Sequence, residues 1–142
     1  MSALSIAGFD PSGGAGILAD IKTWALLGIK GKGVITALTI QSGKRFISWT
    51  SVSEEYFINS LKLIFQDFFI KGVKIGMIGN TKLLSILASI LLENRKHISF
   101  IVLDPVLRAT LGKNLFDKEK DYIEALKQEL LPIVDYVMPN LE

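Results

Sequence analysis

Two patterns of apolar residues alternate along the chain. Short continuous runs rich in β-branched residues read as strands buried on both faces. They are Ala3–Phe9, Gly33–Ile40, a shorter Phe46–Val52, Val73–Met77, Phe100–Asp104 and Val134–Met138. Between them apolar residues recur every three or four positions, the helical period. Gly16–Leu27 carries Ile17, Ile21, Trp24 and Ala25 and is stopped by Gly28. A second helix opens on Ser53-Glu54-Glu55, an N-cap followed by carboxylates that the helix dipole favours, with the stripe Phe57, Leu61, Ile64, Phe65 and Phe68. A third is capped by Asn80 or Thr81, carries Leu83, Leu87, Ile90 and Leu91, and ends near Arg95 and Lys96. A fourth is capped by Asp117, carries Tyr122, Ile123, Leu126 and Leu130, and stops at Pro132.

Strands alternating with helices predict an α/β fold: a mostly parallel sheet with helices on both faces. No repeat, linker or low-complexity stretch interrupts residues 1–142, so one domain is expected. Ligands of such folds bind past the carboxyl ends of the strands. That edge gathers Asp10–Gly16, Gln41, Met77–Asn80, Asp104–Arg108 and Asn140, the most Gly- and Pro-marked places in the chain. The last strand stands four residues from Glu142 with no helix after it, which reads as a fragment or one half of a larger active unit.

Composition narrows the function classes. The 142 residues are 49% hydrophobic and 21% charged, with 16 Lys+Arg against 14 Asp+Glu, a net charge of +2. That charge is too small to argue for nucleic acid or an anionic membrane. Mean hydropathy is +0.40, but the longest apolar run, Leu83–Leu92, falls short of the roughly 20 residues of a membrane span and reads as a buried helix. No signal peptide is visible, because the N-terminus lacks a basic segment and Asp10 interrupts the first apolar run. The absence of cysteine removes disulfides, thiolate metal sites and thiol nucleophiles, and fits a cytoplasmic protein.

The richest segment is Asp10-Pro-Ser-Gly-Gly-Ala-Gly16, a turn into a helix whose N–H groups can face an anion or a polar ring. It is not a P-loop, for no Gly-Lys-Ser/Thr follows. Gly14–Ala19 matches G-x-G-x-x-A, but no acid for a ribose occurs between Asp20 and Glu54, so a dinucleotide reading is poor. A tight turn without a ligand is the plain alternative. Asp20 either lies on a solvated helix face or accepts hydrogen bonds from a heterocycle's amino group. Gln41 is a turn residue, or an amide matched to a purine- or pyrimidine-like edge. Met77 is a core residue or packs on a flat ring. Asp104 is an N-cap or turn aspartate, or meets a metal, a phosphate or a base role. Arg108, Lys113 and Asn114 are solvated loop residues or phosphate contacts. His97, the only histidine, reads as a surface residue, which leaves no Ser/His catalysis and no histidine metal site.

Together these residues carry a family resemblance. Ser5-Ile-Ala-Gly-Phe-Asp-Pro-Ser-Gly-Gly-Ala-Gly-Ile-Leu-Ala-Asp20-Ile-Lys-Thr23 resembles the opening of hydroxymethylpyrimidine/phosphomethylpyrimidine kinase, a thiamine-biosynthesis enzyme of the ribokinase-like superfamily. Val34-Ile-Thr-Ala-Leu-Thr-Ile-Gln41, Lys74-Ile-Gly-Met-Ile78, Val102-Leu-Asp-Pro-Val106 and Pro139-Asn-Leu141 continue it in order across the whole chain. Pyridoxal kinase is a relative.

The resemblance implies a three-layer fold and ATP-dependent phosphorylation of a pyrimidine's hydroxymethyl group, then of the monophosphate. It implies a pyrimidine pocket formed by Gly8, Asp20, Gln41 and Met77, with Val106 against the same substrate. Asp104 would act near phosphates and magnesium, and Asn140 would open an asparagine–glutamate motif whose glutamate falls one residue beyond Glu142. The family's catalytic residue, its Gly-rich anion hole and most of its ATP site lie further downstream. A fragment of this length is then expected to be inactive alone. The other expectations are a pyridoxal-type kinase, a non-catalytic small-molecule-binding module, or, more weakly, a dinucleotide-binding domain. A homodimer through an open sheet edge or the Phe57, Phe65, Phe68 and Phe69 stripe is a further expectation, with core packing as the equal reading of that stripe.

Overall fold

The computed structural model describes residues 2–106, 115–117 and 119–139. Its strands are β1 (Ser2–Phe9), β2 (Lys30–Ser42), β3 (Arg45–Ser51), β4 (Ile70–Ile75), β5 (Phe100–Leu103) and β6 (Tyr136–Val137). They form one six-stranded sheet in the order β3-β2-β1-β4-β5-β6. Every neighbouring pair is parallel except β2–β3, an antiparallel hairpin. The helices are α1 (Gly16–Leu26), α2 (Glu54–Asp67), α3 (Thr81–Asn94) and α4 (Glu119–Ala125). α4 runs on into a wider turn at Leu126–Leu130 and a tight one at Leu131–Ile133 that contains Pro132. No helix among the described residues is long and apolar enough to cross a membrane.

The larger core lies on one sheet face. Leu4, Ile6, Val34, Val73, Ile75, Ile101 and Leu103 meet Phe57 and Leu61 of α2, Leu83, Leu84, Leu87 and Leu91 of α3, and Tyr122 beyond them. α1 covers the other face over β1 and β2, with the small residues Ala3, Ser5 and Ala7 beneath it. β2 starts three residues before its expected start, because Lys30-Gly-Lys-Gly33 pairs with Ser2–Ser5 of β1. Its glycines are there for contact: a Cβ on Gly31 would stand 2.6 Å from Ile21 Cδ1, and one on Gly33 2.9 Å from Ile17 Cγ2.

The caps follow the sequence in two helices. Ser53 Oγ accepts from the Tyr56 N–H at 3.2 Å, and Asn80 Oδ1 accepts from the N–H groups of Lys82 and Leu83. Asp117 also secures the start of α3: its Oδ1 accepts from the N–H and hydroxyl of Thr81. The phenylalanine stripe is also shorter than expected. Phe57 is buried and Phe65 partly so, but α2 ends before Phe68 so that the chain can enter β4. Phe68 and Phe69 are exposed, beneath the ammonium groups of Lys32 and Lys71. Leu26 and Leu27 at the end of α1 are exposed too.

Candidate active site

A cavity of about 330 Å³ opens at the carboxyl edge of β1, β2, β4 and β5. Gly8, Asp20, Gln41, Met77, Asp104 and Val106 all line it, together with Asp10, Thr39, Phe46, Lys74 and Leu115. Asn140, Arg108, Lys113 and Asn114 lie outside the described residues.

The floor is built by close approach. Gly16 has φ +60, and a Cβ there would sit 2.2 Å from the Gly8 carbonyl oxygen. Gly8 in turn lies under Met77, whose Sδ would be 3.2 Å from a Cβ on Gly8. Met77 stands two residues past β4 rather than within it. Its carbonyl accepts from Thr36 Oγ1 at 2.6 Å, and its side chain packs with Ala37, Phe46 and Leu115, with Trp49 and Val106 alongside. It is thus a core residue that also presents an apolar wall to the cavity. Gln41 belongs to β2, paired with Phe46 across the hairpin, and the turn falls one step later at Gly43-Lys44.

Three N–H groups of the Gly-rich loop turn inward rather than to the cavity, because Asp10 takes them: Oδ1 accepts from the Ser12 N–H and hydroxyl, and Oδ2 from the N–H groups of Gly14 and Ala15. Burial raises the pKa of this carboxyl, but the four hydrogen bonds outweigh burial and hold it below the ordinary aspartate value. The resulting stabilisation is present above the unfolded pKa and is lost as pH falls through the folded one. Asp10→Asn is expected to cost about 1–3 kcal/mol at neutral pH. The gap to the native protein should shrink near pH 3 in urea unfolding, and a gap of constant size would refute this account.

Asp20 faces the cavity and is paired rather than lying on a solvated helix face. Its Oδ2 accepts from Ser5 Oγ at 2.6 Å and from Lys74 Nζ at 3.2 Å. Lys74 also faces Asp104 Oδ2 at 3.7 Å. Asp104 follows β5 directly, with its N–H on the Ile75 carbonyl, and its own carbonyl accepts from Val106. Lys74 was missed as a site residue by sequence reasoning, although a lone lysine inside the apolar run Val73–Met77 was the available signal. Phe46 and Leu115 gave no such signal, because nothing local distinguishes a cavity wall from core. Among the described residues no group of three His, Asp or Glu side chains converges to hold a metal ion. Lys74 already occupies the space between the two nearest carboxylates, so these residues do not form a magnesium site by themselves.

The family model described as Phosphomethylpyrimidine kinase matches residues 10–142. This chain belongs to that family. It is similar to the hydroxymethylpyrimidine/phosphomethylpyrimidine kinase of Aquifex aeolicus, 46% identical over 141 residues, covering 99% of this chain and 54% of the relative. The corresponding kinase of Rhizobium meliloti is 42% identical, with 98% and 50% covered. Among solved structures, the phosphomethylpyrimidine kinase of Clostridium difficile superposes with a TM-score of 0.89 at 31% identity, covering 99% of this chain and 59% of the other. The pyridoxal kinase of Staphylococcus aureus in complex with AMP-PCP and pyridoxal superposes with a TM-score of 0.81 at 25% identity, covering 99% and 48%. The three-layer ribokinase-like fold expected from the sequence is therefore the fold found. The chain spans about half the length of the curated relatives it matches.

Proposed function

We propose that this chain carries the ring-binding side of a kinase that phosphorylates 4-amino-5-hydroxymethyl-2-methylpyrimidine and then its monophosphate, with magnesium–ATP as the donor substrate. The observation that carries this reading is the single cavity in which Asp20, Gln41, Met77 and Val106 meet over Gly8, with Asp104 beside Lys74. Relatives covering nearly the whole chain bear the name of that kinase, and one is named a thiamine biosynthesis bifunctional protein. A cytoplasmic role in that synthesis belongs to the same reading.

In this reading the Asp20 carboxylate and the Gln41 amide hydrogen-bond the ring edge. Met77 and Val106 pack on its faces, and the bare Gly8 lets the ring approach the backbone. Phosphoryl transfer asks the protein chiefly for positioning and for neutralisation of spreading charge. The residues described here supply the first of these. No step is assigned to the metal, for which they form no site.

Calorimetric titration with the hydroxymethylpyrimidine, without nucleotide, tests this. Selective binding is expected, and Asp20→Ala and Gln41→Ala should each weaken it by about 1–3 kcal/mol, as for a lost buried hydrogen bond. Unchanged affinity in both variants would remove the pocket assignment. A pyridoxal-type kinase is the second reading, favoured by the solved pyridoxal kinase bound to pyridoxal that covers 99% of this chain. Tighter binding of pyridoxal in the same titration would transfer the function to it.

A further inference from the structure

We propose that Lys74 is a positioning residue that, together with Ser5, holds the Asp20 carboxylate in one orientation. The cavity then selects heterocycles presenting an N–H or O–H donor to Asp20 and rejects isosteres presenting a carbonyl there. This deepens the function proposed above and rests on it.

The placement of Lys74 follows from strand periodicity. Val73 and Ile75 point into the larger core, so Lys74 lies on the opposite face, opposite Ser5 in the β1–β4 register. A lysine in a central parallel strand is out of place unless it is paired. Gly76, two residues on, makes the room: a Cβ there would stand 3.2 Å from Lys74 Nζ. The ammonium so placed reaches Asp20 Oδ2 at 3.2 Å and Asp104 Oδ2 at 3.7 Å.

Ser5 and Lys74 both engage the same oxygen of Asp20. Among the described residues no protein donor meets its other oxygen, although Asp20 lines the cavity. Two donors from two adjacent strands, both on one oxygen, restrain the carboxylate. An ionised carboxylate only accepts. A ring amine or hydroxyl satisfies it, whereas a carbonyl leaves two acceptors facing each other and both unpaired, the kind of mismatch that discriminates most strongly.

The titratable groups lining this cavity among the described residues are Asp10, Asp20, Lys74 and Asp104. Asp10 is held ionised by its own loop. Removing the ammonium therefore leaves Asp20 and Asp104 without their shared cationic partner, and Asp20 held by the Ser5 hydroxyl alone among the described residues. A carboxylate free to turn no longer holds an acceptor against the ring edge, and the selectivity falls.

The test compares a 4-aminopyrimidine alcohol with its 4-oxo isostere by calorimetry at pH 8. The ratio of variant to native discounts the rings' intrinsic difference. The native protein should prefer the amino ring by about tenfold or more. In Lys74→Met the preference should fall about threefold or more, while Lys74→Arg should retain it. A folded Lys74→Met protein with the native preference overturns the proposal. Should that variant not fold, Lys74→Met/Asp104→Asn leaves the net charge of the cluster unchanged, and the same preference decides. Binding of neither ring by the native protein overturns the proposed function, and this inference with it. Binding of the amino ring with a preference indifferent to Lys74 overturns this inference alone.

Discussion

Gly16→Ala is expected to cost about 3–5 kcal/mol, a large part of the stability of a domain this size. Two effects add. An L-residue at φ +60 costs about 1–2 kcal/mol. The new methyl would also lie 2.2 Å from the Gly8 carbonyl oxygen, so the turn and the end of β1 cannot both stay in place. Gly28→Ala separates the two effects. Gly28 has φ +71 but nothing within 4 Å of a Cβ, so it should show the conformational cost alone. Urea unfolding of both variants measures the difference. Equal losses would show that Gly8 and Gly16 do not pack as described, and a large loss only at Gly16 would show that they do. Ring binding should fail in Gly16→Ala even where the protein still folds, because Gly8 and the start of α1 form the cavity floor.

Phe57→Ala should cost a similar amount, about 3–5 kcal/mol, through lost burial and the cavity left behind. Phe57 is fully buried where α2 meets the sheet and α3. Phe69→Ala is the matched control, because that ring is 65% exposed and meets only the Lys71 ammonium among the contacts its ring makes with cations. It should change stability by about 0.5 kcal/mol or less. Thermal or urea unfolding at one pH reads both. A large loss at Phe69 would show that its ring is covered in solution, which would support self-association through this end of α2.

The two cases show what the sequence made legible and what it did not. Apolar period located the six strands and four helices of the described residues, because burial on both faces of a parallel sheet leaves long apolar runs. It misplaced the start of β2, whose lysines and glycines look unlike a strand. There the demand came from Ile17 and Ile21 of α1, which need bare backbone beneath them. It also extended the α2 stripe to Phe68, since the period cannot tell a buried ring from one lying under a lysine. In the site, Asp20, Gln41 and Asp104 could be singled out because polar residues beside apolar runs are conspicuous. The Gly-rich loop misled, because the sequence shows its N–H groups but not that Asp10 returns to occupy them. Lys74 became meaningful only when the β1–β4 register set it opposite Ser5 and within reach of two carboxylates.

That return of Asp10 has a consequence for recognition. At many glycine-rich helix starts an arriving anion orders the loop, and part of its binding energy goes into doing so. Here the chain brings its own anion, so the loop takes its shape during folding. In the proposed function a ring entering the cavity meets this loop already in its final form, and none of its affinity goes into ordering the loop. That part of the wall then sorts competing rings by how well each fits it.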